Sequence, residues 1–329
     1  MNVSLLAWAA TVVALGAVIA ADLLISNRKP RAVTVQAAAL WVAFYVALAV
    51  FFGFGLGLVY DASVAGEFFA GYLTEYSLSV DNLFVFVIIM TTFAVPPAYQ
   101  HKVLLFGIVA ALALRAGFIA VGAAAIERFS FTFYVFGAFL IYTAVKLVTA
   151  HGKPYDVSRN PVVRLVERAV PTTRDYHGGR AVVTIDGRRT FTPLLIVMVA
   201  IATADLLFAL DSIPAIFGLT QEPYLVFTAN AFALMGLRQL YFLLHGLLDR
   251  LIYLSYGLAV ILGFIGAKLI LEALHASGYA SMPHIGLALS LAVIVGTLAV
   301  TTIASLVMVR RRPSLASSAE TTVDAVGHR

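Results

Sequence analysis

Nine stretches of this chain run almost without polar interruption, at approximately 3–25, 36–59, 66–93, 102–124, 130–149, 193–218, 223–247, 251–274 and 285–309. An α-helix of about 20 apolar residues crosses the roughly 30 Å hydrocarbon core of a bilayer, so each stretch predicts one transmembrane helix. Barrel strands would alternate apolar and polar over about ten residues. These runs do not alternate, and the predicted fold is an all-α polytopic membrane protein of nine transmembrane helices.

The polar positions between the runs set an expected orientation. Arg28, Lys29 and Arg31 follow the first run, Lys102 lies between the third and fourth, and eight Lys or Arg fill the connection between the fifth and sixth. Arg250 separates the seventh and eighth, and Arg310, Arg311 and Arg312 follow the ninth. All of these fall on one side of a nine-helix arrangement. The opposite connections carry only Arg128, beside Glu127. By the positive-inside rule the N-terminus is expected outside and the C-terminus in the cytoplasm. No Lys or Arg precedes the first apolar run, so it reads as a retained helix rather than a signal peptide.

Composition agrees with the pattern: 61% of the 329 residues are hydrophobic and 12% are charged, with a mean hydropathy of +0.95. A soluble chain of this size needs more charge to solvate its surface. The net charge of +5 reads as basic loops beside anionic lipid, not as a nucleic-acid surface. The sequence has no cysteine, which excludes disulfides and thiolate metal sites.

Within two of the apolar runs the same acidic spacing recurs. EYSLSVDN carries Glu75, Asp81 and Asn82, and DLLFALDS carries Asp205, Asp211 and Ser212. A charge at the bilayer centre costs roughly 2.5–3.5 kcal/mol on insertion scales, so these acids point to function.

Laying the third to fifth runs on the sixth to eighth extends the match. Arg115 then corresponds to Arg238, and Lys146 to Lys268. A repeat of three helices is odd in number, so its second copy enters the membrane from the opposite side. The expectation is an inverted repeat, whose halves commonly bind substrate where they meet. The predicted organisation is peripheral helices over 1–59, a first repeat over 64–149, a cytoplasmic loop over 150–192, a second repeat over 193–274, a C-terminal helix over 284–310, and a disordered tail over 311–329. In the loop, Asn160 and Pro161 read as the start of a short helix through Val170. Asp186-Gly187 reads as a hairpin turn.

At 100° per residue, Glu75, Ser79 and Asn82 share a helix face and Asp81 lies about 120° away; Asp205, Ser212 and Asp211 repeat this arrangement. One straight helix cannot aim both carboxylates at one ion. Either each acid faces a different neighbour or the helix is broken, and Pro214 argues for a break by freeing the carbonyl of Leu210. The available donors, including Ser77, are hard oxygens suited to Mg²⁺, Ca²⁺ or Mn²⁺. The seven histidines lie in loops, in the tail or near helix ends, which argues against a mid-membrane Zn²⁺ or Cu²⁺ site.

A purely structural reading competes: the acids could neutralise Arg115, Arg238, Lys146 and Lys268. Lys146 and Lys268 sit near helix ends and can snorkel. Arg115 and Arg238 are deeper, and each is expected to take one acid, leaving a carboxylate per half for an ion. Asp22, Glu67 and Glu272 read as interfacial, and Asn230 as a helix-packing amide in preference to a ligand.

The stretches EYSLSVDNLFVF, VPPAYQHKVLLFGI, YTAVKL, TPLLIV, DLLFALDSIPAIFGLT, FTANAFALMGLRQLYFLL and YGLAVILGFIGAKLI together resemble the TerC family of integral membrane proteins in its longer, Alx-like form. The resemblance covers about residues 20–274. It implies metal-ion homeostasis, chiefly manganese export, with a link to tellurium resistance and to metal loading of exported enzymes. It carries Glu75, Asp81, Asn82, Asp205, Asp211 and Ser212 as metal-site residues, with Ser79 beside them. Many relatives have Glu where this chain has Ala202, so no mechanism needing a fifth carboxylate is implied.

The sequence thus predicts a non-enzymatic transporter of the bacterial inner membrane that exports a divalent cation, Mn²⁺ first and Ca²⁺ or Mg²⁺ as alternatives. Asp81 and Asp211 are expected as paired ligands on broken helices, with Glu75 and Asp205 completing the site or taking protons. No cofactor is expected. The partners are the ion, the lipid bilayer and any protein docking on the 150–192 loop. The alternative is a non-transporting scaffold in metal-stress or enzyme-metalation complexes. A membrane hydrolase using paired aspartates is weaker, because no hydrolase motif accompanies them.

Overall fold

A computed structural model of the chain describes residues 3–27, 35–129, 131–149, 162–165, 172–173, 175–185, 188–244, 253–277 and 285–311. Helices dominate: α1 (Leu5–Asn27), α2 (Val35–Val59), α3 (Ala62–Thr92), α4 (Pro97–Arg128) and α5 (Thr132–Thr149) precede a β1–β2 hairpin (Val182–Ile185, Arg188–Phe191). There follow α6 (Pro193–Phe217), α7 (Pro223–Met235), α8 (Leu237–Leu244), α9 (Leu254–Ala276) and α10 (Leu287–Arg311). Among the described residues, seven of these helices are long and apolar enough to cross a membrane. α1 spans 23 residues, Leu5–Asn27. The seventh expected span is divided into α7 and α8 by one residue, Gly236.

Local chemistry explains the helix starts. Asp61 caps α3, its Oδ1 accepting from the amides of Ser63 and Val64 at 2.7 and 3.0 Å. Pro97, Pro193 and Pro223 open α4, α6 and α7, at the position where a missing N–H costs nothing. The expected break at Pro214 is not present: α6 runs through it to Phe217. Proline removes one bond to Leu210, and the helix continues on the bonds around it. α3 is likewise continuous, so the acids of both motifs lie on unbroken helices.

Small residues set the packing directions. A Cβ on Gly137 of α5 would lie 2.7 Å from the Gly266 carbonyl oxygen of α9, and the next contact along places Gly263 against Ala144. As one helix advances the other recedes, so α5 and α9 are antiparallel. α3 and α6 are antiparallel too: Glu67 accepts from Thr220 at 2.6 Å, and Gly71 faces Ile216. α4 and α6 run parallel, with Gly107 against Ile201 and Gly122 against Phe217. α3 packs on both α6 and α7, and α4 packs on the same two helices. Four helices therefore enclose the centre of the bundle.

The segment leading into the hairpin docks on the α3–α4 turn through Tyr176. β1 and β2 pair antiparallel with Ile185 opposite Arg188; the expected turn residues Asp186 and Gly187 lie outside the described set. Tyr176 donates its hydroxyl to the Phe93 carbonyl at 2.6 Å and its ring meets Tyr99. Burial pushes its phenol up to about 12. Of the helix expected from Asn160 to Val170, residues 162–165 are helical, and Val163 is buried in the cluster that includes Val95 and Val103. The rest of that segment, Arg250 and the tail from 312 lie outside the described residues.

Candidate functional site

Arg115 of α4 is the hub of the bundle, 1% exposed. Its Nε and Nη2 donate to the two carboxylate oxygens of Asp205 on α6, each at 3.2 Å. Its Nη1 donates to Glu75 Oε1 on α3, to Ser212 Oγ on α6 at 3.1 Å and to Asn230 Oδ1 on α7 at 2.8 Å. One cation thus ties together four helices. Asp205 and Ser212, seven residues apart, reach it from one face of α6, as helical spacing requires.

Asn230 is aimed by its own helix. Its Nδ2 donates to the Val226 carbonyl at 2.9 Å, which leaves Oδ1 as the end presented to Arg115. Helix packing is the role its sequence position predicts. Its burial, 1% exposed, fits packing, but its oxygen faces the charged cluster. The available signal was an amide in the same apolar run as Arg238.

At formal charges, two carboxylates and one guanidinium sum to one negative charge. Glu75 is fully buried, and among the described residues its Oε2 has no hydrogen-bond partner, nor has the neighbouring Thr74 hydroxyl. Ser79 donates weakly to Glu75 Oε1 at 3.4 Å. Buried polar atoms normally find partners, so this corner of the cluster is under-satisfied.

Asp81 and Asp211 stand elsewhere. Asp81 accepts from Ser255 of α9 at 3.0 Å, and Asp211 accepts from Thr143 of α5 at 2.9 Å. The 120° separation expected on a straight helix is realised, with each second acid turned to a different neighbour. Among the described residues, no group of three or more His, Cys, Asp or Glu is gathered closely enough to hold a metal. Asn82 is buried on α3 and Ser77 donates to the Leu73 carbonyl at 2.6 Å.

Arg115 departs from the expected one acid per arginine. Arg115 takes both Glu75 and Asp205, while Nη1 of the buried Arg238 lies 3.4 Å from His101 Nε2. The reason is position: α4 crosses both acid-bearing helices at Arg115. Lys268 does not snorkel; it is 5% exposed and lies 3.7 Å from Glu272, one turn along. Lys146 is exposed.

These features define an all-α polytopic membrane protein with a charged cluster buried at the meeting of four helices. No solved structure matches the chain. The family profile described as integral membrane protein TerC family matches residues 60–313, and the chain belongs to that family. An uncharacterized membrane protein of Mycobacterium tuberculosis is 50% identical over 84% of this chain and 70% of its own length. The thylakoid membrane protein TERC of Arabidopsis thaliana is 44% identical over 77% of this chain and 66% of its own. The Alx protein of Escherichia coli, provisionally named a membrane-bound redox modulator, is 37% identical over 90% of this chain and 92% of its own.

Proposed function

We propose that this TerC-family protein exports a divalent metal cation, Mn²⁺, across the bacterial inner membrane. One observation carries the reading: carboxylate, hydroxyl and amide oxygens of Glu75, Asp205, Ser212 and Asn230 converge from three helices on a single cationic group inside the bundle. Hard oxygens in that combination suit Mn²⁺, Mg²⁺ or Ca²⁺. A charge at this depth is costly, so its presence marks a functional site.

The reading includes nine spans, an N-terminus outside and an inverted repeat. Its support is directional. The equivalent helices α3 and α6 are antiparallel, as are α5 and α9. α6 runs parallel to α4, and the opposition of α5 and α9 agrees with α6 and the divided α7–α8 span both crossing. Glu75 and Asp205, the equivalent acids of the two halves, meet on the same arginine. Asp81 and Asp211 then serve the path to and from this centre, turned toward α9 and α5.

A thiol-based redox role has no residues here, since the sequence contains no cysteine. The deciding experiment is flux by purified protein in liposomes, comparing Mn²⁺, Ca²⁺, Mg²⁺ and Zn²⁺ with and without a pH gradient. Mn²⁺ movement is the expected result. Absence of flux for all four ions would leave the scaffold reading in its place.

A further inference from the structure

The geometry points to Arg115 as a tethered stand-in for the transported ion: its Nη1 marks the ion's position, and the ion enters as the guanidinium withdraws. This rests on the transport reading above and says how the same site is kept closed.

Three observations support it. Nη1 is ringed by three oxygens of the types a hard cation takes, from Glu75, Ser212 and Asn230. The oxygens of Ser212 and Asn230, now at 3.1 and 2.8 Å, would need to close by about 0.2–1.0 Å to reach metal–oxygen distances of about 2.1–2.6 Å. Glu75 Oε2, on a fully buried side chain, lacks a partner among the described residues, so this carboxylate has a second oxygen ready for a ligand that Arg115 does not supply.

Charge decides between sharing and exchange. With Arg115 in place the cluster carries one net negative charge, and adding a divalent cation would turn this to one positive. With Arg115 withdrawn, two carboxylates and one divalent cation are neutral. Neutrality is favoured in a buried, low-dielectric site, so ion and arginine exclude each other. An arginine that returns to its acids also displaces the ion, which gives the protein a means of release.

The test is Arg115→Gln in the full-length protein, purified into lipid nanodiscs and titrated with MnCl₂. The readouts are equilibrium Mn²⁺ binding, Mn²⁺-dependent rise of the melting midpoint, and liposome flux. The expected result is Mn²⁺ binding at least tenfold tighter than in the unaltered protein, with flux at least tenfold slower because release has lost its competitor. Arg115→Lys keeps the charge but not the fork, and is expected between the two. A variant that folds only when Mn²⁺ is present is the same result in another form, since the ion replaces the missing cation. Unchanged or weaker Mn²⁺ binding by folded Arg115→Gln overturns the inference. So does failure to fold with or without Mn²⁺ while Arg115→Lys folds and binds no tighter than the unaltered protein. Binding is measured at equilibrium, so this outcome is separate from the flux of the unaltered protein, whose absence sinks the transport reading itself.

Discussion

Arg115 holds Asp205 in a two-pronged ion pair, Nε on one carboxylate oxygen and Nη2 on the other, both at 3.2 Å. The fork comes from α4 and the acid from α6, two parallel helices packed through Gly107 and Gly122. Both side chains are 1% exposed. The pair therefore couples helix packing to the state of the charged centre.

Asp205→Asn removes one charge from this buried pair while Glu75 remains to partner the arginine. Glu75 and Arg115 then remain as a neutral pair, so no charge is left uncompensated and the expected cost is that of the weakened bonds to Asp205, about 1–3 kcal/mol. The melting midpoint of the purified protein should fall accordingly. A midpoint equal to that of the unaltered protein would show that the pair contributes nothing to folding.

Asp81→Asn and Asp211→Asn are expected to behave differently. Each asparagine retains an oxygen that accepts from Ser255 or Thr143, so the change in stability should stay within about 1 kcal/mol. Mn²⁺ export should nonetheless drop at least tenfold at unchanged membrane abundance. Full export by both variants would refute their assignment to the ion path.

At the α5–α9 crossing, Gly137→Val should be destabilising by about 1–3 kcal/mol through overpacking. A Cβ there would meet Ile270 Cγ1 at 2.6 Å as well as the Gly266 carbonyl. Gly117→Ala in α4, where nothing lies within 4 Å, is the control. It should hold or raise stability by about 0.5–1 kcal/mol from helix propensity. Equal melting midpoints for the two variants would contradict the crossing.

The docked segment ahead of the hairpin should respond to alkali. The Tyr176 phenol has its pKa raised from 10.0 to about 12, so the folded state favours the protonated form. Its contribution to docking is complete below about pH 10 and is lost as pH rises from 10 to 12. Limited proteolysis between residues 172 and 192 should accelerate over that window. Tyr176→Phe, which lacks the bond to the Phe93 carbonyl, should cleave faster at pH 8 and lose the alkaline step. A variant with the same cleavage profile as the unaltered protein would count against the contact.

Much of this architecture was readable from runs of apolar residues, because helix formation in a membrane is a local matter. Every backbone group must be satisfied within its own segment, so length and hydropathy mark α2 to α6, α9 and α10 within a few residues. The break was misplaced for an instructive reason. Pro214 removes one hydrogen bond, which a packed helix tolerates, whereas the interruption falls at Gly236, where the chain passes Tyr45 of α2 at 3.6 Å from a Cβ position.

From the sequence alone came the apolar spans, the duplicated acids, and the angular rule that Glu75 and Asp81 cannot serve one point from a straight helix. Tertiary structure decided the rest: that both Glu75 and Asp205 turn to Arg115, that Asn230 offers its oxygen to the same guanidinium, and that Asp81 and Asp211 face α9 and α5. The physical reason is range. A side chain's direction is set by its own helix, but its partner is set by which neighbour crosses at that height, and crossings such as Gly137 on Gly266 form between segments far apart in the chain.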